Sequence, residues 1–429
     1  MNKTLKKILV ASCAAATVLS MAACGSSSNS GDANTIKFQT WNLKNDTFTP
    51  YFNEAIAQFE KDNPGTKIEW VDQPGENYDQ KLSTDAAAGQ LPDVVNVSET
   101  QGYNLAKAGA LLNLSEEMPD AADDYLPQVW KGSTFKGNGI DEGVYGFPWY
   151  LNIDVAYINK PLFEQCGLDP DNPPKTYDEL FEQANTFAEN CASQGKYFLA
   201  IPRIMTSEFE EYGVDTLNKD HSEFTLNSAK GVEYVQKYVD LYKKGAFPKD
   251  GLTSNTISAE KLYFQGNIAY MPNSTSSIAS FKTNAPDLYK NLDVAQLVTN
   301  NDNTINPMTV AVSSQTKNKE LSLKFANYIT NKENQLAFGK LANVFPSAAG
   351  SMDDEYYHPT DTSKIENKII EVASKEIDNG DTGNRAPEVS DSDDTNTISP
   401  QIAKAILGQQ TAKQAMDNIV KTLNEKLGE

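Results

Sequence analysis

Aromatic side chains stand where strand-like runs end: Trp41, Trp149, Tyr150 and Tyr270, each with amides or acids close by. Sugar rings present apolar C–H faces and hydroxyl edges, so flat aromatics combined with Asp, Asn, Glu and Gln offer what a sugar site needs. Aromatics at strand ends are core residues about as often, and residue type alone leaves both readings open.

Other reactive groupings are sparse. His221 and His358 fall in loop-like stretches without a Cys or acidic partner at metal-ligand spacing, and are read as solvated loop histidines. Asp391, Asp393 and Thr395 begin like a calcium loop, but Asn396 and Ile402 occupy the places that need Gly and Glu. No Gly-x-Ser-x-Gly elbow and no Gly-x-x-x-x-Gly-Lys-Ser/Thr phosphate loop occurs. Carboxylates are numerous enough for a glycosidase pair, yet no spacing nominates one. The expectation is a protein with no catalytic residue, no metal site and no cofactor.

The chain has 429 residues, 37 Lys and Arg against 58 Asp and Glu, and a net charge of −21. A pI near 4.6 argues against nucleic acid or anionic lipid as the main partner, and a mean hydropathy of −0.51 is that of a soluble protein. The length suits two domain-sized cores or one large domain.

Three lysines precede the apolar run Ile8 to Leu19, too short to span a bilayer stably, and Ser20-Met21-Ala22-Ala23-Cys24 follows. Residues 1–23 read as a secretory signal that resembles a bacterial lipoprotein lipobox, with Met21 where Leu is usual. Cys24 is the expected lipidation position, residues 24–33 a flexible tether, and the outer face of a cell membrane the expected location. Cys166 and Cys191 then remain in an oxidising compartment, where a disulfide is allowed and its geometry is not readable.

From residue 35 strand and helix alternate. Thr35 to Trp41 is a strand, and a helix from Thr49-Pro50 puts Phe52, Ala55, Ile56 and Phe59 on one face. A strand at Ile68 and Trp70, a helix over 76–88 and a strand over 93–97 follow, which implies a parallel sheet covered by helices. Later expectations are strands over 144–151, 153–158 and 308–312. Helices are expected after the Thr176/Glu179 capping box, over 228–244 and 319–342, and after Thr411/Gln414, with 378–396 a loop.

Four stretches resemble the carbohydrate-binding lipoproteins of bacterial ABC importers, extracellular solute-binding protein family 1, the class containing maltose-binding protein. They are Gly89-Gln-Leu-Pro-Asp93-Val-Val with Tyr103 to Leu111, Val144-Tyr-Gly-Phe-Pro-Trp-Tyr150 running on to Leu180, Phe264 to Met271, and Leu407 to Ala415. The resemblance implies an α/β, two-lobed periplasmic-binding-protein fold, each lobe a sheet flanked by helices, with the ligand cleft at the hinge. It implies lobe 1 from 34–151 plus 299–345 and lobe 2 from 152–298 plus 346–429.

The same resemblance implies ligand contacts at Trp41, Asn42 and Asp46 after the first strand, with Lys44 a further candidate. It adds Ser98, Glu99, Thr100 and Gln101 after the third strand, and Trp149, Tyr150 and Asn152 at the cleft floor. Arg203, with Met205 and Glu208 near it, then Asn273 and Ser274, Asn306 and Met308 complete the set. The loops at 98–101 and 273–276 carry no tryptophan, a departure from the maltose-type pattern. The implied function is capture of an oligosaccharide and delivery to ABC permease subunits in the membrane by a lipid-anchored monomer. A lipid-anchored glycoside hydrolase, or the same fold holding a polyamine, peptide or metal chelate, are the alternatives.

Overall fold

The computed structural model describes residues 34–137, 139–253, 261–301, 305–379, 386–390 and 393–427. The signal segment, Cys24, the tether and Asp391 lie outside the described residues.

β1 (Thr35–Trp41), β2 (Lys67–Gln73) and β3 (Val94–Val97) run parallel, with β1 between the other two. The helix Thr49–Asp62 joins β1 to β2 and buries Phe52, Ala55, Ile56 and Phe59 on one side, the 3.6-residue stripe of its sequence. Phe38, Gln39 and Thr40 are all buried, so the middle of β1 departs from strict in–out alternation, as in a parallel strand covered on both faces.

Where one strand over 144–151 is expected, two elements meet. β4 (Thr134–Gly137) and β5 (Ile140–Val144) form a small hairpin, whereas β6 (Phe147–Asn152) joins the large sheet. β7 (Asp154–Asn159), β8 (Tyr270–Ser274) and β9 (Leu292–Ala295) form a separate antiparallel sheet. β10 (Asn306–Val312) returns to the first sheet, antiparallel to both β3 and β6, and β11 (Phe345–Pro346) pairs with β6 at its edge. The strand orders are β11-β6-β10-β3-β1-β2 and β8-β7-β9. The large sheet is therefore mixed, because the chain leaves it at Asn152 and re-enters at the same end, at Asn306 beside it, running the opposite way.

Around the three-stranded sheet the helix Tyr177–Cys191 starts on a reciprocal cap: Thr176 accepts from the Glu179 backbone, and Glu179 accepts from the Thr176 backbone. Its buried face carries Leu180, Ala184, Phe187, Ala188 and Cys191. It packs with the helices Ala229–Lys244 and Ala412–Leu427 in one apolar core. Cys166 and Cys191 form a disulfide, with Cα atoms 5.7 Å apart.

Two expectations are corrected. The stretch read as loop over 378–396 is helical at both described ends. The helix Ile365–Asn379 runs into its start, and a π-helical turn Asp394–Ile398 leads into the helix Ser399–Ile406. Buried Ile398 and Ile402 anchor that second piece, so its acidic residues do not leave it in solvent. His221 is not solitary either: its Nδ1 lies 2.9 Å from Glu388 Oε1, an acid distant in sequence and near only in space.

Candidate ligand-binding cleft

A cavity of about 750 Å³ opens at the carboxyl ends of β1 and β3. Its opposite wall comes from the start of β7, the helix Thr206–Tyr212 and the C-terminal segment near Val389. Sheets of this type bind small molecules beyond the carboxyl ends of their strands, and the volume falls within the range of about 300–1,000 Å³ usual for such sites.

Trp41 ends β1 and lines the cavity. Its ring stacks on Tyr78, centroids 6.0 Å apart and planes inclined by 26°. The indole N–H has no hydrogen-bond partner among the described residues. Gly75 lets the following loop lie close against the ring: a Cβ there would come within 3.0 Å of Trp41 Cε3 and 2.6 Å of Asn42 Nδ2.

β3 delivers Ser98, Glu99 and Gln101 to the same cavity. Ser98 caps the helix Glu99–Lys107 by accepting from the Gln101 backbone, and the Gln101 side chain accepts from the Ser98 N–H at 2.9 Å. The Gln101 amide also donates to Asp79, so much of its hydrogen-bonding capacity holds the loop.

Across the cavity Arg203 is 8% exposed and bound at 2.7 Å to Glu211, with Glu208 at 3.8 Å. Tyr177 donates to Glu211 at 2.8 Å, and Tyr234 donates to the Arg203 carbonyl at 2.6 Å. Burial pushes the Glu208 carboxyl up to about 7, with Arg203 pulling it down and Glu211 adding to the rise. Asp154 reaches into the cavity from the first position of β7. Enclosure by protein lifts its pKa above the ordinary carboxylate range, Arg203 again opposing and Glu211 adding. Asp394 accepts from both the backbone and the hydroxyl of Thr206, at 2.9 and 2.7 Å.

Of the residues singled out from sequence, Trp41, Ser98, Glu99, Gln101, Asn152, Arg203, Met205, Glu208 and Met308 line this cavity. The others do not. Asn42 adopts a left-handed backbone at φ 56° and accepts from the Gly75 N–H at 3.0 Å, bracing the loop over Trp41. Lys44 donates to the Trp70 carbonyl at 3.2 Å, and Asp46 is exposed outside the lining. Thr100 is not part of the lining, and its hydroxyl donates to the carbonyl of Val389, which is.

Trp149, expected on the cleft floor, is wholly buried in the core of the six-stranded sheet and stacks on Phe338 at 5.1 Å. Tyr150 packs on the same Phe338 ring at 5.3 Å. Tyr270 is buried and stacks on Phe198. Asn273 and Ser274 pair with Val155 and Asp154 in the small sheet, where Asn273 accepts from the Ser277 hydroxyl at 2.8 Å. Asn306 opens β10 opposite Asn152.

Asp79, Asp154, Glu211, Glu376 and Asp394 also line the cavity and were not singled out from sequence. Asp154 had a readable signal, since it directly follows the inferred crossover. Among the described residues no group of three His, Cys, Asp or Glu side chains is placed to hold a metal ion.

Comparison with known proteins accounts for this architecture. Over 92% of this chain and 99% of the other, a periplasmic-binding protein from Synechococcus sp. MITs9220 superposes with a TM-score of 0.79 at 24% identity. The Listeria monocytogenes ABC substrate-binding protein Lmo0181, solved with cycloalternan, gives 0.71 at 20% identity over 92% and 99% of the two chains. In sequence, the Brucella melitensis sn-glycerol-3-phosphate-binding periplasmic protein UgpB is 25% identical over 409 residues, 87% of this chain and 89% of its own. The Bacillus subtilis galactooligosaccharide-binding protein is 26% identical over 351 residues, 77% of this chain and 78% of its own. The fold is the two-lobed periplasmic-binding-protein fold. A family model described as bacterial extracellular solute-binding protein matches residues 54–364, and the chain belongs to that family.

Proposed function

We propose that this protein captures a sugar, an oligosaccharide by the size of its cavity, and delivers it to the permease subunits of an ABC importer without catalysing a reaction. The observation that carries the reading is Trp41: a flat ring in a cavity whose lining also carries the amides Asn77, Gln80, Gln101 and Asn152 and several acids. The ring suits a sugar's C–H face, and Asn152 and Asp154 in the same lining suit the hydroxyl edge. The named relatives that bind oligosaccharides support the same reading.

The proposed lobes are residues 34–151 with 299–345, and 152–298 with 346–429, closing about the cleft by a hinge. The division of strands between the two sheets supports these limits. The protein is proposed to act as a monomer on the extracytoplasmic face, anchored through lipid on Cys24. In support, the segment before Cys24 has the charged, apolar and small-residue order of a lipoprotein signal.

A thermal-shift screen of the mature protein against neutral sugars, polyamines and short peptides tests the reading. A ligand at 100 times its Kd stabilises by about 2.7 kcal/mol. Stabilisation by sugars alone, with no new reducing ends released, is the expected result. Stabilisation by a polyamine instead, or release of reducing ends, overturns it. For the anchor, Cys24→Ala should leave uncleaved precursor or release protein to the medium; retention at unaltered mature mass counts against lipidation.

A further inference from the structure

Asn152 and Asp154 flank Ile153 where the chain passes from the large sheet to the small one, and both line the cavity. Two positions apart in extended chain, their side chains share a side, while Ile153 between them is buried. Neither side chain has a hydrogen-bond or ion-pair partner among the described residues, in contrast to Ser98, Gln101 and Arg203 in the same lining. An amide can donate to a hydroxyl and a carboxylate can accept from two of them, so this pair is equipped to grip a polyol edge.

Charge sharpens the choice. Arg203, the cation that lines the cavity among the described residues, already lies against Glu211 and Glu208. A phosphate or carboxylate on the ligand would meet Asp154 with no uncommitted cation beside it among the described residues, and two like charges in an enclosed site repel strongly.

We infer that Asp154 is a ligand-contacting, specificity-determining residue that binds adjacent hydroxyls of an uncharged saccharide and excludes acidic ones. The inference rests on the sugar reading above and narrows it. It separates this chain from UgpB, whose name specifies an anionic solute, despite 25% identity between them.

The test uses the mature protein, calorimetry, and a panel of neutral malto-, galacto- and gluco-oligosaccharides alongside sn-glycerol-3-phosphate. Wild type should bind a neutral saccharide and show no heat with the phosphate ester. Asp154→Asn, which keeps the shape and removes the charge, should weaken the saccharide about tenfold or more. Asp154→Ala should weaken it at least as much. Both variants should melt within a few degrees of wild type, because the side chain faces the cavity.

Saccharide binding by both variants at wild-type affinity overturns the role of Asp154 and leaves the sugar reading standing. Wild-type binding of sn-glycerol-3-phosphate at affinity equal to the saccharide overturns the exclusion of acidic ligands. A panel in which no saccharide binds wild type overturns the sugar reading and this inference with it.

Discussion

The Thr100 hydroxyl donates to the Val389 carbonyl at 3.4 Å, joining the helix that follows β3 to the C-terminal segment on the far wall of the cavity. Thr100 was singled out as a ligand contact, yet its hydroxyl is turned to the opposite wall. On the hinge closure proposed above, a contact of this kind exists only while the two walls are together. A bond made solely in the closed state raises the closed population, and hence the apparent affinity, without touching ligand. Thr100→Val should weaken saccharide binding by about two- to tenfold, in line with about 0.5–1.5 kcal/mol for one hydrogen bond. Calorimetry with a melting curve checks it: unchanged affinity would show that the bond does not help to hold the cleft shut.

Gly75 and Trp41 give a second prediction. A methyl at Gly75 would collide with Asn42 Nδ2 and press on the Trp41 ring. Gly75→Ala should therefore shift Trp41 on its Tyr78 support and lower ligand affinity, with a smaller effect on melting. Trp41→Ala should lower affinity by tenfold or more, about 1.4 kcal/mol per decade. Tryptophan fluorescence reads both, since ligand should perturb emission in wild type and not in Trp41→Ala.

Trp149 should behave in the opposite way. It is fully buried, stacked on Phe338 and edge-on to Phe52 at 6.0 Å. Trp149→Ala should cost about 3–5 kcal/mol of stability, while the folded fraction binds saccharide normally. A denaturation curve alongside a titration decides the matter. Lost affinity at unchanged stability would return Trp149 to the cleft.

Why Trp41 could be placed from sequence and Trp149 could not is a matter of distance along the chain. The exit of β1 is defined locally, by the strand Thr35–Trp41 and the helix stripe Phe52, Ala55, Ile56 and Phe59 that follows. The helix starting after Thr176 was equally local, since Thr176 and Glu179 announce it within four residues. The fate of Trp149 depends on Phe338, which reaches it only through the return of β10 and the helix Lys332–Ala342. Asp394 and Glu376 were missed for the same reason. One lay in a stretch whose composition mimics solvated loop, and neither neighbours Thr206 or Leu297 until the chain is folded.

The disulfide supplies a prediction confined to stability. Cys166 and Cys191 are buried in the core around the three-stranded sheet, away from the cavity lining. Constraining that loop in the unfolded chain is worth about 3 kcal/mol. Cys191→Ala should lower the melting temperature and leave saccharide affinity unchanged. A variant that melts like wild type would mean that the constraint contributes little.

Glu208 sets a pH dependence. Burial raises its carboxyl to about 7 in the folded protein, above the ordinary glutamate value of 4.5 that the unfolded chain retains. Between those values the folded state holds a proton that the unfolded state has released. Stability must then fall as pH rises through this window, and recover as pH drops from 8 towards 5. Asp154, also raised, acts with the same sign. The paired carboxylates whose pKa values are lowered, Asp393 beside Lys426 among them, act with the opposite sign at more acidic pH. Glu208→Gln removes the titration while keeping an acceptor for the Met205 backbone N–H, which Glu208 binds at 2.5 Å. Chemical denaturation at pH 5, 6, 7 and 8 should show a negative slope in wild type and a flatter one in the variant. Parallel slopes in the two proteins would mean that Glu208 is ionised throughout, held so by Arg203 3.8 Å away.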